Sequence, residues 1–284
     1  THTFEVDALK FWKYHGLGND FVLFEDFKSE IPADPEFVRY ICDRHFGIGG
    51  DGILYIRKDV EADAYMKIMN SDGSEAEMCG NGIRCFAKHL YDFGIVKSEK
   101  MRINTLGGIK YIDVKAENGI VKEVSVNMGA PYLEVKDIPM NGNGRFINKK
   151  ITAAGMEITG TAVGMGNPHF VTFQDLNDEN ILKLGPVLEK HEMFPRKTNV
   201  EFVTAKEDYL DVKVYERGAA WTNACGTGAC ATAVAATLVG ICPTGKDIAI
   251  HLPGGTLSIN VKNDYSSVQM TGPAEMVFEG EINW

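Results

Sequence analysis

The segments "MCGNGIRC" (78–85) and "ACGTGAC" (224–230) follow one pattern, in which a cysteine precedes glycine, a polar residue, a second glycine and an apolar stretch. The two leading cysteines, Cys79 and Cys225, lie 146 residues apart. A disulfide, a zinc site, a redox pair and a pair of proton-transfer groups would each use cysteine. The rest of the sequence has to distinguish between these uses.

Other segments also occur twice, in the same order and 143 to 148 residues apart. The pairs are "GLGNDFVLF" (16–24) with "GMGNPHFVTF" (164–173), "INTLGGIKYIDV" (103–114) with "IHLPGGTLSINV" (250–261), and "VNMGAP" (126–131) with "VQMTGPA" (268–274). Several matches in one order indicate a duplicated unit of about 125 to 145 residues. We therefore expect two domains, residues 1–124 plus 272–284 and residues 125–271.

Each repeat predicts strands around one helix. The opening segments indicate two strands joined at a glycine-rich turn, and "ENGI" (117–120) is typical of a hairpin. Each cysteine is followed by a helix candidate that ends at a glycine, residues 80–94 and 226–240. The second candidate is apolar or small nearly all round, which predicts a central, buried helix. We expect an α+β fold in which each half is a mostly antiparallel sheet or barrel around a helix. The halves would be related by a pseudo-twofold axis, with the active site in the cleft between them.

Composition excludes several classes of function. The formal net charge of −10 opposes binding to nucleic acid or to anionic membranes. Six cysteines in 284 residues are too few for a disulfide scaffold, and a reducing compartment would keep them as thiols. No apolar run approaches the roughly 18 residues of a membrane helix, and the start of the chain lacks the pattern of a signal peptide. A cytoplasmic location is expected.

A helix that starts at each cysteine has a chemical consequence. The first N–H groups of a helix have no partner within it, and with the helix dipole they attract anions and stabilise a thiolate. Two such sites facing each other would suit inversion of a stereocentre, in which one group removes an α-proton and another delivers a proton to the opposite face.

The same residues resemble the diaminopimelate epimerase family, whose members interconvert LL- and meso-2,6-diaminopimelate for lysine and peptidoglycan precursor biosynthesis. The resemblance covers nearly the whole chain. The segments that carry it are "HGLGNDFV" (15–22), "RHFGIGGDG" (44–52), "NSDGSEAEMCGNGIRC" (70–85), "GMGNPH" (164–169), "YERGAAWTNACGTGAC" (215–230) and "LPGGTL" (252–257). Asn81 is informative, because the related proline racemases typically carry histidine at that position.

The resemblance implies a role for each matching residue. Cys79 and Cys225 would be the acid–base pair, and His169 and Glu216 would tune their pKa values. The implied substrate-binding residues are Asn19, Asn70, Gly80, Asn81, Asn167, Asn199, Glu216, Arg217, Gly226 and Thr227. Of these, Gly80, Asn81, Gly226 and Thr227 would bind the reacting carboxylate through backbone N–H groups. Arg217 would hold the distal carboxylate, and Glu216 the reacting ammonium group.

The resemblance also implies no cofactor, no metal and a homodimer. It favours Cys225 as base towards the LL substrate and Cys79 as proton donor, although the sequence does not fix which cysteine is the resting thiolate. Three residues depart from the family pattern: Gly52 stands where some members have glutamine, and Ala220 and Trp221 stand where members often read Gly-Glu.

Several alternatives stay open at this stage. The protein could be a racemase of another amino acid on the same scaffold, or a non-catalytic thiol or zinc-binding module. The spacings from Cys79 to Cys85 and from Cys225 to Cys230 do not match common zinc knuckles. We interpret Cys42, Cys85, Cys230 and Cys242 as packing residues, and residues 189–197 as a solvated helix end and loop.

Overall fold

The computed structural model describes residues 8–284, and its contacts divide the chain into two compact units. Unit 1 is the chain up to Val126 together with Gly272–Trp284, and unit 2 is Asn127–Thr271. The two epimerase domains expected from the sequence stay a prediction, and residues 1–7 of the first lie outside the described residues.

Unit 1 is built mainly from strands. Up to its junction with unit 2 the elements are β1 (Ala8–Gly16), β2 (Asn19–Glu25), α1 (Pro35–Cys42), β3 (Gly52–Arg57), β4 (Ala64–Asn70), β5 (Glu75–Ala76), α2 (Gly80–Asp92), β6 (Lys100–Thr105), β7 (Gly108–Glu117) and β8 (Ile120–Asn127). Most neighbouring strands are antiparallel, while the β2–β3 and β4–β6 pairs are parallel.

Unit 2 repeats this order after a short leading segment. The elements are a single 3₁₀ turn (Val135–Asp137), β9 (Lys149–Ala153), β10 (Met156–Gly164), β11 (Pro168–Thr172), α3 (Asp178–Glu189), β12 (Asn199–Ala205), β13 (Leu210–Glu216), β14 (Ala220–Thr222), α4 (Gly226–Leu238), β15 (Asp247–Leu252), β16 (Gly255–Val261) and β17 (Val268–Gly272). The parallel pairs are β11–β12 and β13–β15, which occupy the same places as the parallel pairs of unit 1. The duplication is confirmed.

The two units differ in the strand that flanks their first hairpin. In unit 2 the strand β9 precedes β10 and pairs with it antiparallel. In unit 1 the corresponding flank of β1 is filled by β18 (Glu275–Asn283), which also pairs antiparallel but comes from the other end of the described chain. Unit 1 is therefore completed by a strand that follows all of unit 2 in sequence.

Each unit packs its strands around one helix. The helix α2 contacts β1 to β4 and β7, and α4 contacts β10 to β13, β15 and β16. Residues Gly228 to Ala236 of α4 are all buried, and most of them are alanine or glycine, because six strands leave little room for larger side chains. This confirms the α+β class and the central position of the second helix.

The helix ends and the hairpin turn lie where the sequence predicts them. Gly94 and Gly240 follow the ends of α2 and α4 with φ angles of 68° and 82°, the left-handed conformation that terminates helices. Asn118 and Gly119 join β7 to β8 with φ angles of 52° and 78°, as a two-residue hairpin turn requires. Within residues 8–284 no helix is both long enough and apolar enough to cross a membrane.

Candidate active site

The helix α2 begins at a cysteine. Cys79 is its N-cap residue, with extended backbone angles (φ −146°, ψ 120°), and its sulfur accepts a hydrogen bond from the Gly82 N–H at 3.4 Å. The first intrahelical bond runs from the Ile83 N–H to the Cys79 carbonyl. The N–H groups of Gly80 and Asn81 therefore precede the hydrogen-bond ladder and are placed to bind an anion.

The helix α4 begins in the same way. Cys225 is its N-cap residue (φ −132°, ψ 106°), and its sulfur accepts from the Gly228 N–H at 3.2 Å. The N–H groups of Gly226 and Thr227 precede the first ladder bond, which Ala229 donates to the Cys225 carbonyl. Neither helix has an acidic residue in its first turn, so the positive end of each dipole is not offset from within the helix.

In unit 1, amide side chains surround Cys79. The Asn19 side-chain oxygen accepts from Asn81 Nδ2 at 3.1 Å and from the Cys79 thiol at 3.7 Å. The Asn19 amide nitrogen donates to Asp51 at 2.8 Å, which fixes the orientation of the Asn19 amide. The structure thus brings together Asn19, Cys79, Gly80 and Asn81 of the predicted set.

Arg84 supports this first turn and was missed in the sequence. Its guanidinium is fully buried and donates to Asn81 Oδ1 at 2.7 Å, to the Gly80 carbonyl at 3.1 Å and to the Pro273 carbonyl at 3.0 Å. The only available signal was its position three and four residues after Asn81 and Gly80, which places it on their side of a helix.

In unit 2, a chain of hydrogen bonds leads to Cys225. Its sulfur lies 3.5 Å from the Thr227 hydroxyl, which accepts from Asn167 Nδ2 at 3.2 Å. The Asn167 oxygen lies 2.8 Å from His169 Nε2, and His169 Nδ1 lies 2.6 Å from Glu201 Oε1. His169 and Glu201 are fully buried. Asn167, His169, Cys225 and Thr227 of the predicted set are therefore connected, and Glu201 is an addition.

The surroundings of Cys225 oppose its ionisation. Burial, reinforced by the carboxylates of Glu216 and Glu201, raises the pKa of the Cys225 thiol well above its usual value. Hydrogen bonds from Thr227 and from the Gly228 N–H act in the opposite direction. Burial also raises the pKa of the Glu201 carboxyl, while its contact with His169 lowers it.

Asn199 and Arg217 form a second group in unit 2. The Asn199 side chain donates to the Pro168 carbonyl at 3.0 Å and accepts from the Arg217 N–H at 2.8 Å. The Arg217 guanidinium is exposed and donates to the Arg196 carbonyl at 3.1 Å. Asn199 thus fixes the backbone from which the Arg217 side chain extends.

The interpretation of residues 189–197 as a solvated helix end and loop is wrong for two of its residues. Glu189 and Phe194 are buried. Phe194 packs against Phe170 with ring centroids 6.0 Å apart, and Glu189 accepts from the Gly218 N–H at 3.1 Å. Glu189 therefore braces the turn that carries Arg217, a tertiary role that local sequence does not indicate.

Asn70 and Glu216 occupy equivalent ends of β4 and β13. Asn70 lies opposite Gly52 and donates to the Ser74 hydroxyl at 3.1 Å. Glu216 lies opposite Ala220 and is half-buried, and its carboxylate acts on the pKa of Cys225.

The three departures from the family pattern have structural consequences. A Cβ atom added at Gly52 would lie 2.6 Å from the Met69 carbonyl oxygen, so a side chain there needs a backbone shift. Ala220 has a φ of 59°, a conformation that suits glycine. Trp221 packs edge-on against Tyr215, with centroids 5.1 Å apart, and fills the space beside Gly185.

The remaining cysteines do not approach a ligand set. None of the six cysteines is in a disulfide; Cys42, Cys85 and Cys230 are buried and Cys242 is half-buried. Burial raises the pKa of the thiols of Cys42 and Cys85 to about 12. Between residues 8 and 284 no three His, Cys, Asp or Glu side chains are grouped so that they could hold a metal ion, so the zinc-module alternative has no ligand set there.

The architecture matches solved structures. A crystal structure described as a probable proline racemase from Agrobacterium radiobacter superimposes with a TM-score of 0.70 at 14% identity, over 96% of this chain and 92% of that chain. The chain therefore shares its duplicated α+β fold with that structure, and in this chain a cysteine stands at the start of each central helix.

Sequence comparison specifies the family. The family model "Diaminopimelate epimerase" matches residues 11–134 and 161–277. The diaminopimelate epimerase of Desulfitobacterium hafniense is 47% identical over 95% of this chain and 96% of its own length. That of Pelotomaculum thermopropionicum is 47% identical over 96% of this chain and 98% of its own. The chain belongs to the diaminopimelate epimerase family.

Replacing Ala220 by glycine is expected to stabilise the protein. A non-glycine residue in the left-handed region costs about 1–2 kcal/mol, which glycine avoids apart from its greater loss of backbone entropy. We expect Ala220→Gly to raise the free energy of unfolding by about 1 kcal/mol in urea titration. The matched control is Ala219→Gly, outside the positive-φ residues, which should lower stability by about 0.5 kcal/mol. Equal effects of the two variants would contradict strain at residue 220.

The thiol of Cys225 is expected to resist alkylation at neutral pH. Only the thiolate reacts, and the raised pKa of Cys225 keeps the group protonated as pH rises past the value of an exposed cysteine, about 8.5. Iodoacetamide labelling of the ligand-free protein, followed by peptide mass spectrometry across pH, should give a midpoint for Cys225 above that value. A midpoint at or below that of an exposed thiol would show that the carboxylates and burial do not control it.

Proposed function

We propose that the protein interconverts LL- and meso-2,6-diaminopimelate without a cofactor. The observation that carries the proposal is the pair of helix N-termini capped by cysteine, one in each unit of a chain that belongs to this family. Relatives that are 47% identical over nearly their whole length bear the name diaminopimelate epimerase. Each unit would act as one epimerase domain.

The proposed reaction exchanges one proton for another at the α-carbon. A cysteine thiolate takes the α-proton, so that the C–H bond breaks, an S–H bond forms and the electron pair moves onto the substrate carboxylate. The thiol of the other cysteine then protonates the carbon from the opposite face and becomes the thiolate. Charge therefore balances, and the two sulfurs have exchanged protonation states at the end of the turnover.

The first-turn N–H groups would stabilise the charge that develops on the carboxylate. Those of Gly80, Asn81, Gly226 and Thr227 all precede their helix ladders, and each lies at the positive end of a helix dipole. Such donors are oriented before the reaction begins and need no reorganisation in the transition state. Asn19, Asn70, Asn167 and Asn199 would contact the rest of the substrate.

The two ends of the substrate would meet opposite charges. The exposed guanidinium of Arg217, whose backbone is held by Asn199, suits the distal carboxylate. Glu216 would pair with the reacting ammonium group. Because the Glu216 carboxylate raises the pKa of Cys225, neutralising it with an ammonium group would make the thiolate of Cys225 easier to form. Substrate binding would thus help to produce the base that acts on the LL form, with Cys79 as the donor.

Solvent isotope exchange tests this function. Incubation with LL-diaminopimelate in D₂O, without pyridoxal phosphate, is expected to place solvent deuterium on one α-carbon, as measured by mass spectrometry and NMR. Cys79→Ala and Cys225→Ala should each reduce epimerisation by about 10²–10⁴-fold or more, because each removes one proton-transfer group. Cys242→Ala, at a half-buried cysteine outside the site, is the matched control and should stay active.

Three outcomes would contradict the proposal. They are a requirement for pyridoxal phosphate, retained turnover in both Cys79→Ala and Cys225→Ala, and faster turnover of proline or histidine than of diaminopimelate. The third would identify a racemase of another amino acid.

We also propose a cytoplasmic homodimer. Six cysteines outside any disulfide suit a reducing compartment. The strand β18 exposes Met276, Val277 and Phe278, a run of apolar residues of the kind that commonly forms contacts between subunits.

Replacing one exposed valine tests the dimer. Val277→Lys is expected to shift the protein from dimer to monomer in sedimentation velocity, since a charge would have to be desolvated in the interface. Val60→Lys alters another exposed valine, away from β18, and should leave the dimer intact. A monomeric unmodified protein, or a dimer that tolerates Val277→Lys, would exclude this interface.

A further inference from the structure

Glu201 is a buried carboxyl group that the proposed reaction does not use. It lies on β12, is fully buried, and places Oε1 2.6 Å from His169 Nδ1. Its second oxygen, Oε2, is buried without a hydrogen-bond partner among the described residues. Burying a carboxyl group with one oxygen unsatisfied is costly, so the position calls for a physical explanation.

The same carboxyl group lies against the first turn of α4. A Cβ atom added at Gly228 would lie 2.9 Å from Glu201 Oε1 and 3.1 Å from the Cys225 sulfur. Because residue 228 is glycine, Glu201 Oε1 and the Cys225 sulfur can both lie close to its Cα atom. Glu201 also contributes to the raised pKa of Cys225, which agrees with this proximity.

A chain of hydrogen bonds links Glu201 to Cys225 through His169, Asn167 and Thr227, and the donor at each step can be worked out. The amide oxygen of Asn167 faces His169, so His169 Nε2 must carry a hydrogen and donate it. The amide nitrogen of Asn167 donates to the Thr227 oxygen. The Thr227 hydroxyl hydrogen then points away from Asn167 and is free to be donated to the sulfur of Cys225, 3.5 Å away.

This order of donors and acceptors requires a proton between Glu201 Oε1 and His169 Nδ1. With Nε2 protonated, a neutral imidazole accepts at Nδ1 from a protonated Glu201 carboxyl. Otherwise an imidazolium donates from Nδ1 to the Glu201 carboxylate and from Nε2 to the Asn167 oxygen. If that proton left and Nδ1–H donated to a carboxylate, Nε2 would become an acceptor. The Asn167 amide would then turn round, and the Thr227 hydroxyl would donate to Asn167 rather than to the sulfur. The protonation of the buried pair therefore decides whether Cys225 receives a hydrogen bond from Thr227 in addition to the one from the Gly228 N–H.

We propose that Glu201 is a positioning residue that, through His169, Asn167 and Thr227, holds a hydroxyl donor on the sulfur of Cys225 and so stabilises its thiolate. The proposal rests on the proposed role of Cys225 in proton transfer. Glu201 touches neither the sulfur nor the substrate in this scheme. Other charges that act on Cys225 are the Glu216 carboxylate and the Glu201 carboxyl itself, and the relay offsets part of their effect.

Two Glu201 variants separate the hydrogen-bond role from a structural one. Glu201→Gln keeps the shape, and its amide N–H can donate to His169 Nδ1 as a protonated carboxyl does. Glu201→Ala removes the donor. Both variants remove the charge of Glu201, so the difference between them isolates the hydrogen bond. In iodoacetamide labelling of the intact chain, the Cys225 midpoint should lie about one pH unit higher in Glu201→Ala than in Glu201→Gln, a rate about tenfold lower at fixed pH below the midpoint. Cys79 in the same sample is the reference.

A variant at the other end of the relay keeps the test decisive if Glu201→Ala does not fold. Thr227→Val, at a half-buried residue, removes the hydroxyl and should produce the same shift of the Cys225 midpoint. Adding Thr227→Val to Glu201→Ala should raise the midpoint no further, because both changes break one chain of hydrogen bonds. Additive shifts, an unchanged profile in Thr227→Val, or a Glu201→Gln variant as impaired as Glu201→Ala would overturn the proposal.

Activity distinguishes this inference from the proposed function. If the relay acts as proposed, kcat for epimerisation should fall in Glu201→Ala with little change in KM, since the substrate contacts remain. Labelling at Cys225 does not depend on turnover. An unmodified protein that exchanges no deuterium into diaminopimelate would therefore refute the function, while the labelling series would still test the relay.

Discussion

The structure depends on one weak hydrogen bond at the start of each central helix, which a first-turn N–H donates to a cysteine sulfur. Serine, threonine, aspartate and asparagine are the residues that cap helices well, because their oxygens accept strongly from the first-turn N–H groups. Here both central helices use sulfur instead, at 3.4 Å in α2 and 3.2 Å in α4. A neutral thiol is a weak acceptor and a thiolate a much stronger one. Each helix is therefore capped best when its cysteine has lost its proton, which couples the stability of the helix to the chemistry proposed for the site.

The two units place different side chains around this common feature. In unit 1 the sulfur neighbours the Asn19 amide, and a buried Arg84 holds the first turn through Asn81 and Gly80. In unit 2 a buried carboxyl–imidazole pair reaches the sulfur through Asn167 and Thr227. The duplication has preserved the backbone geometry that we propose binds a carboxylate, while the polar neighbours have diverged. Such divergence fits two cysteines that would begin each turnover in opposite protonation states.

Sequence was sufficient for the features that are encoded locally. The repeated glycines, the Asn118–Gly119 turn and the small residues of α4 each restrict the backbone directly, and they placed the helices, the hairpin and the class of fold. The candidate site was less accessible, because Glu201 lies in a strand where one charged residue looks like an ordinary solvent-facing position. Its burial arises from His169, more than thirty residues away in sequence. Arg84 and Glu189 were missed for the same reason, since their partners come from other elements.

The position of β18 in the sequence affects the order in which the two units can fold during synthesis on the ribosome. Unit 2 is continuous from Asn127 to Thr271, so all of its strands have been synthesised once that segment emerges. Unit 1 emerges first, yet β1 lacks its outer partner until Glu275–Asn283 follows, after the whole of unit 2. The first half made is thus the last that can close its sheet, and until then β1 presents an unpaired edge to the cell. Loss of the segment that forms β18 would damage the half farthest from it in sequence.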